Sequence, residues 1–281
     1  MLLQSAVICL VTGATGFVGM SLCAALRHRG DELRAYSRSG GALPDGTPTI
    51  PMDLASERLG LADLQGVDVV FHLAGVAHQR ASADTYQSVN LQATLALADA
   101  CLCAGVEHFV FVSSVKAMGS PGDARVRAEE DCAVPSDDYG LSKWQAEESL
   151  RELCRGRMSL TIVRPALVFG AHNKGNIALL ERWIRRGLPR PPGDGARSMI
   201  AREDLARLLC TLSEQPGLRC DTFIACGDTD YSTRDIYDAL RGSQGKGRGL
   251  AWCPRWAWRL ATAAIDLLRP GGEPTWDRLF G

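Results

Sequence analysis

Eight residues constrain this chain more than any others: TGATGFVG at 12–19, set between an apolar run at 6–11 and a helical pattern at 17–29. Its glycines give a G-x-x-G-x-x-G spacing where a strand turns into a helix. A turn of that kind needs residues without a Cβ, so that backbone N–H groups and a helix N-terminus can face a pyrophosphate. Gly13, Thr15, Gly16, Phe17, Val18 and Gly19 are therefore assigned to a dinucleotide.

The rest of the first 165 residues agrees. Strand-like runs at 6–11, 33–36, 67–74, 108–113 and 160–164 alternate with helical patterns at 17–29, 84–103 and 139–153. Strands apolar on both faces and separated by helices imply a parallel sheet covered on both sides. The fold class is α/β, a Rossmann-type doubly wound parallel sheet. After Pro165 the pattern changes. Glycine, proline and arginine become dense between 170 and 202, around a helix near 177–186. A strand at 222–225 precedes Ser232-Thr-Arg-Asp235, which reads as a helix N-cap box, and 242–249 reads as a loop. This predicts a dinucleotide-binding domain at 1–168 and a smaller C-terminal α/β substrate-binding lobe at 169–281. Some elements of that lobe return to the first sheet.

Composition removes several function classes. The net charge is −1, so no global field recruits nucleic acid. Ten cysteines are scattered with no zinc spacing, which reads as reduced thiols of a cytoplasmic protein without a metal. No run of 18 apolar residues exists, so no membrane span is expected. The segment 256–268 reads as a C-terminal helix packed on its own domain, with a membrane-surface helix the alternative.

A ribose reader belongs at the end of the second strand, about 20 residues beyond the glycine turn. The chain has Tyr36-Ser37-Arg38 there and no carboxylate. Ser37 and Arg38 suit a 2′-phosphate, which favours NADP(H). NAD(H) is the alternative, with Arg38 then a solvated loop residue. Asp53 and Leu54 follow the next strand, where a carboxylate receives an adenine amine; helix capping is the other use of Asp53. Leu73, Ala74 and Gly75 end the 67–74 run with small residues where a backbone approaches the cofactor.

Tyr139 and Lys143 stand at i and i+4 and share a helix face. A free tyrosine has a pKa near 10, and a nearby ammonium lowers it. The phenol then exchanges a proton with a hydroxyl or carbonyl while a hydride moves. The chain has 27 arginines and only 4 lysines, so a lysine here suggests a compact ammonium rather than any cation. Ser114, after the strand HFVFV, is spaced to hydrogen-bond the same substrate oxygen.

TGATGFVG, FHLAG at 71–75, FVFVSS at 109–114, YGLSK at 139–143, IVRPALVFG at 162–170 and EDLA at 203–206 together resemble an extended short-chain dehydrogenase/reductase of the NAD-dependent epimerase/dehydratase family. The resemblance implies catalytic Ser114, Tyr139 and Lys143, Pro165 among the cofactor contacts, and a mainly structural Asn90. SSVKAMG (113–119), YGLSKWQAE (139–147) and NKGNIALL (173–180) resemble a bacterial branch with UDP-4-keto-6-deoxy-N-acetylglucosamine 4-reductases, often labelled UDP-glucose 4-epimerases. That likeness implies substrate contacts from Lys116, Asn176 and Arg197, the last on a diphosphate. The expected activity is 4-keto reduction of a UDP-4-keto-6-deoxy-hexosamine. The alternatives are a UDP-sugar 4-epimerase with tightly bound NAD and, remotely, a non-catalytic dinucleotide sensor. Family habit implies a homodimer through helices at 84–104 and 139–154. Two departures stand out. Arg202 replaces an apolar residue, which predicts a distorted or edge strand, and the end at WDRLFG implies a reduced wall of the sugar pocket or a reduced oligomer contact.

Overall fold

A computed structural model describes residues 6–77, 81–120, 126–171, 173, 175–193, 195–214, 217, 219–247, 249, 253–268 and 276. β1 (Ile8–Thr12) runs through the glycine turn into α1 (Gly19–Arg29), which stops where Gly30 takes a left-handed φ of 95°. Next come β2 (Glu32–Ser37), β3 (Gly41–Ala42), β4 (Pro48–Pro51), the single turn α2 (Leu61–Leu64) and β5 (Val69–His72). The helical pattern at 84–103 divides into α3 (Ala83–Tyr86), a π-helical turn at Gln87–Gln92 and α4 (Ala93–Ala104). β6 (His108–Val112), a 3₁₀ turn at Val115–Met118, α5 (Asp138–Cys154) and β7 (Ser159–Pro165) follow. β8 (Leu167–Phe169), α6 (Gly175–Arg185) and β9 (Arg197–Ala201) lead to α7 (Arg202–Ser213) and β10 (Cys220–Ala225). The last elements are β11 (Asp230–Tyr231), α8 (Thr233–Ser243) and α9 (Arg255–Leu268).

The chain divides into two compact units, Met1–Ala166 with Ala201–Ala225, and Leu167–Ile200 with Cys226–Gly281. The first carries a sheet in the order β10-β7-β6-β5-β1-β2-β4-β3. Every neighbouring pair is parallel except β3 with β4. The expected doubly wound α/β sheet is therefore present. Its strand order reverses around β1, which lies between β5 and β2. Such a switch point opens a crevice beyond the C-terminal ends of the strands. The core beneath it packs Leu10, Val70, Phe109, Leu160 and Ile162 of the sheet against Leu97 and Cys101 of α4 and Leu150 of α5. Truncating one such aliphatic side chain to alanine costs about 2–5 kcal/mol. Cys9, Cys23, Cys101 and Cys154 serve as small apolar residues in the interior, where burial pushes the Cys9 thiol up to about 12.

The second unit holds the sheet β11-β9-β8 over Ile177, Met199 and Ile236. α8 opens with the expected capping box: Ser232 Oγ accepts from Asp235 N, and the Asp235 carboxylate accepts from Ser232 N. β9 is the middle strand, and Arg202 is the first residue of α7. The expectation of a distorted or edge strand is thus corrected: a helix starts one residue after Ala201, so Arg202 never has to join a ladder. Trp258 of α9 is buried and stacks on Trp183, ring centroids 5.0 Å apart, while Trp256 is exposed. Among the described residues no helix is long and apolar enough to cross a membrane.

Candidate active site

The glycine turn sits at the end of β1, beside the end of β5, with Thr12 in register with His72. Its glycines are required by space. A Cβ on Gly13, whose φ is 71°, would stand 2.8 Å from Ala74 N. On Gly19 it would stand 2.2 Å from Gly13 O, and on Gly16 2.9 Å from the same oxygen. The cradle is backbone-lined and lies at the N-terminus of α1, so it suits a dinucleotide pyrophosphate. Thr15 is exposed, and Phe17 and Val18 are half-buried. The Arg202 guanidinium lies 5.2 Å from the centre of the Phe17 ring and bonds Glu203. The departure from the family pattern therefore stacks a cation on the glycine turn.

Beyond β2 the picture is mixed. Arg38 is exposed. Ser37 is buried, its hydroxyl on Thr49 Oγ1 at 2.8 Å and Gly40 O at 3.0 Å, so it already serves the β2–β4 edge. Asp53 Oδ1 accepts from Ala55 N at 3.1 Å, an Asx-type turn that uses one carboxylate oxygen. Leu54 is buried in the core. Leu73 and Ala74 line the β5 end against Gly13, and Pro165 closes β7.

α5 carries the reacting side chains. Asp137 caps it, accepting from Gly140 N at 2.9 Å. Gly140 lets the 3₁₀ turn abut the helix, since a Cβ there would stand 2.6 Å from Lys116 O. The buried Tyr139 phenol lies beside Ser114, which favours its phenolate form. Lys143 is buried, donates from Nζ to Val112 O at 3.0 Å, and lies 4.5 Å from the Phe111 ring centre. A Cβ on Gly75 would stand 3.0 Å from Asn90 Oδ1 and in ordinary contact with that Nζ, so the tight packing at Gly75 is against Asn90. Burial pulls Lys143 down to about 8, against the field of Glu147. Burial pushes Tyr139 up to about 12, and the Ser114 hydroxyl opposes it. Tyr86 packs on Tyr139, centroids 5.9 Å apart.

Asn90 holds this arrangement from the π-helical turn. Its Oδ1 accepts from Val76 N at 2.8 Å, and its Nδ2 donates to Val76 O at 3.0 Å and to Ser142 Oγ at 3.1 Å. It ties the loop after β5 to α5, one residue before Lys143. π-turns recur at functional sites because they re-aim one residue out of a helix face.

Two buried groups escape the sequence reading. His72 is fully buried between Thr12 Oγ1 (2.7 Å from Nδ1) and Thr94 Oγ1 (2.9 Å from Nε2). Thr94 Oγ1 donates to Asn90 O, so His72 Nε2 must donate to Thr94 and Nδ1 must accept from Thr12. The ring is neutral, pulled down to about 3 by burial and then by Lys143. Glu147 and Arg164 form a buried ion pair, bonded at 2.5 Å. A glutamate on the apolar side of α5 and an arginine in the strand run LTIVRP are the signals that could have found it. Lys116 is exposed, and its N–H donates to Ser114 Oγ at 3.2 Å. Arg197 begins β9 in the second unit and is half-buried. Asn176 lies in α6, but its side chain is outside the described residues.

Residues 9–219 match the family model described as NAD dependent epimerase/dehydratase family. The chain is 30% identical over 262 residues to a UDP-glucose 4-epimerase of Vibrio cholerae, covering 89% of this chain and 80% of that protein. It is 29% identical over 296 residues to a 2-alkyl-3-oxoalkanoate reductase of Stenotrophomonas maltophilia, covering 96% and 87%. Among solved structures it is similar to MoeE5 in complex with UDP-glucose and NAD. That match has a TM-score of 0.75 and 29% identity, over 86% of this chain and 85% of that one.

Proposed function

Because the chain belongs to the NAD-dependent epimerase/dehydratase family, as an enzyme of the extended short-chain dehydrogenase/reductase type, we propose that it moves a hydride at C4 of a UDP-sugar, as a 4-ketoreductase of a UDP-4-keto-6-deoxy-hexosamine. The observation that carries the reading is the buried Tyr139 phenol beside Ser114, with Lys143 one turn along α5, at the crevice beside the glycine cradle. The nicotinamide cofactor, when bound, supplies the hydride. Tyr139 gives its proton to the C4 oxygen, and a phenol held neutral by burial is the form that step requires. Ser114 donates to the same oxygen and stabilises the charge that develops on it. The Lys143 ammonium favours the phenolate left behind and orients the nicotinamide ribose. Arg38, with no carboxylate at the β2 end, supports NADP(H). Residues 169–281, apart from the elements at 201–225 that return to the first sheet, are read as the nucleotide-sugar lobe, with Arg197 on the diphosphate, Asn176 on the nucleotide sugar and Lys116 near the sugar. A cytoplasmic homodimer through the helical segments at 84–104 and 139–154 belongs to the same reading.

A second reading has its own support. The Vibrio cholerae relative is named a UDP-glucose 4-epimerase, and MoeE5 was solved with UDP-glucose and NAD. The same three residues would then take a hydride from C4 and return it to the other face, with NAD retained throughout. The purified protein is denatured and the released nucleotide identified; the emptied protein is then titrated with NADPH and NADH. An empty site that prefers NADPH, and turnover of a UDP-4-keto-6-deoxy-hexosamine, supports the reductase. NAD that survives purification, with UDP-glucose converted to its C4 epimer, replaces it with the epimerase.

A further inference from the structure

Glu147 is fully buried one turn beyond Lys143, and no step above uses it. Its Oε1 accepts from Ser113 Oγ at 2.5 Å and from Arg164 Nε at 3.0 Å, and its Oε2 from Arg164 Nη2 at 2.5 Å. Arg151 Nη2 stands 3.5 Å from Oε2. Arg164 is 2% exposed, and its Nη1 donates onward to Glu129 O at 2.8 Å and Cys132 Sγ at 3.3 Å. A pair like this is a costly way to join a helix to a sheet, because well-packed apolar side chains of the same volume commonly hold as firmly. Its position suggests another use. Ser113 is the chain neighbour of Ser114, Arg164 precedes Pro165, and Tyr139, Lys143 and Glu147 follow one another turn by turn along α5.

We infer that Glu147 is a positioning residue: its carboxylate, fixed by Arg164 and Ser113, keeps the buried Lys143 side chain cationic and seated on the end of β6 that carries Ser114. The inference rests on the role given to Lys143 above. The other charged or titratable groups around Lys143 do not substitute for Glu147. His72 faces it from β5 and is neutral, Tyr139 stands one turn earlier and is protonated, and Arg164 from β7 and Arg151 from α5 are cations on the Glu147 carboxylate. Without Glu147, burial alone acts on the ammonium, and the unpaired guanidinium of Arg164 adds to its discharge.

The test follows NADPH and NADH affinity against pH by nicotinamide fluorescence, with thermal unfolding alongside, for the full chain and three variants. Glu147→Gln leaves Arg164 buried without its partner and risks unfolding, so Glu147→Gln/Arg164→Met is made with it. The unsubstituted protein is expected to lose affinity on the alkaline side as Lys143 discharges near pH 8. Lys143→Met is expected to lack that limb. In the folded double variant the limb is expected at lower pH, though by less than in a folded Glu147→Gln, because the guanidinium leaves with the carboxylate. A double variant with the limb where the unsubstituted protein has it would mean that Glu147 only fastens the helix, and would overturn the inference. An alkaline limb that persists in Lys143→Met would instead sink the reading of Lys143 itself, and this inference with it.

Discussion

At the scale of single residues, function here opposes stability. Lys143 is held charged in a buried position, and its folded value of about 8 lies below the 10.5 of a free lysine. The unfolded chain therefore binds the extra proton more readily between pH 8 and 10.5, so the folded state gains stability as pH rises through that window. Below pH 8 it bears the full desolvation cost, of order 1–3 kcal/mol after relaxation. Lys143→Met is thus expected to raise the thermal midpoint at pH 7 by several degrees while hydride transfer is lost. A lower midpoint, or near-normal turnover, would contradict both halves. Tyr139→Phe removes only the proton donor. Its expected signature is an unchanged fold and a fall of about 10²–10⁴-fold in turnover, measured with whichever UDP-sugar the unsubstituted enzyme accepts.

The elements were legible in proportion to how much of their reason is local. TGATGFVG announced itself because backbone crowding forbids a side chain at 13, 16 and 19, and α5 announced itself through Tyr139 and Lys143 at one turn's spacing. The π-helical turn was not legible. Six residues at Gln87–Gln92 cannot separate a π from an α period, and what fixes the turn is Asn90 reaching Val76 and Ser142, contacts 14 and 52 residues away. The short strands of the second unit were missed for the same reason, since three residues at Leu167–Phe169 and two at Asp230–Tyr231 carry no periodicity. The difference between crowded and open glycines is measurable. Gly19→Ala drives a methyl to 2.2 Å from Gly13 O and is expected to abolish dinucleotide binding. Gly30→Ala meets nothing within 4 Å and incurs only the left-handed φ, about 1–2 kcal/mol of stability with binding retained. Calorimetric titration of both variants with NADH checks the contrast, and equal losses would refute the cradle.

Across the whole molecule, the parallel sheet covered on both sides follows from alternating strands and helices, but the order of its strands and the buried polar wire beneath the site do not. Ala74 N–H reaches Thr12 Oγ1, Thr12 reaches His72, His72 reaches Thr94, and Thr94 ends on Asn90 O. A histidine in an apolar strand run reads as core, and only the assembled sheet shows that its two nitrogens join β1 to Thr94 of α4, and through it to the π-helical turn. That wire makes acid stability a property of the folded whole. His72 titrates near 3 when folded and near 6.5 when unfolded. Between those values the unfolded chain binds more protons, so stability is full above about pH 6.5. It falls as the pH drops towards 3, by up to ~1.4 kcal/mol per pH unit from this group. Denaturant melts at pH 7 and pH 5 should therefore differ by about 2 kcal/mol more in the native chain than in His72→Gln, whose amide cannot take up the proton. His72→Gln should itself be weaker at pH 7 by about 1–3 kcal/mol, because one of the two threonine hydroxyls loses its partner. Equal acid sensitivity in the two proteins would show that His72 is not the group whose protonation opens the fold.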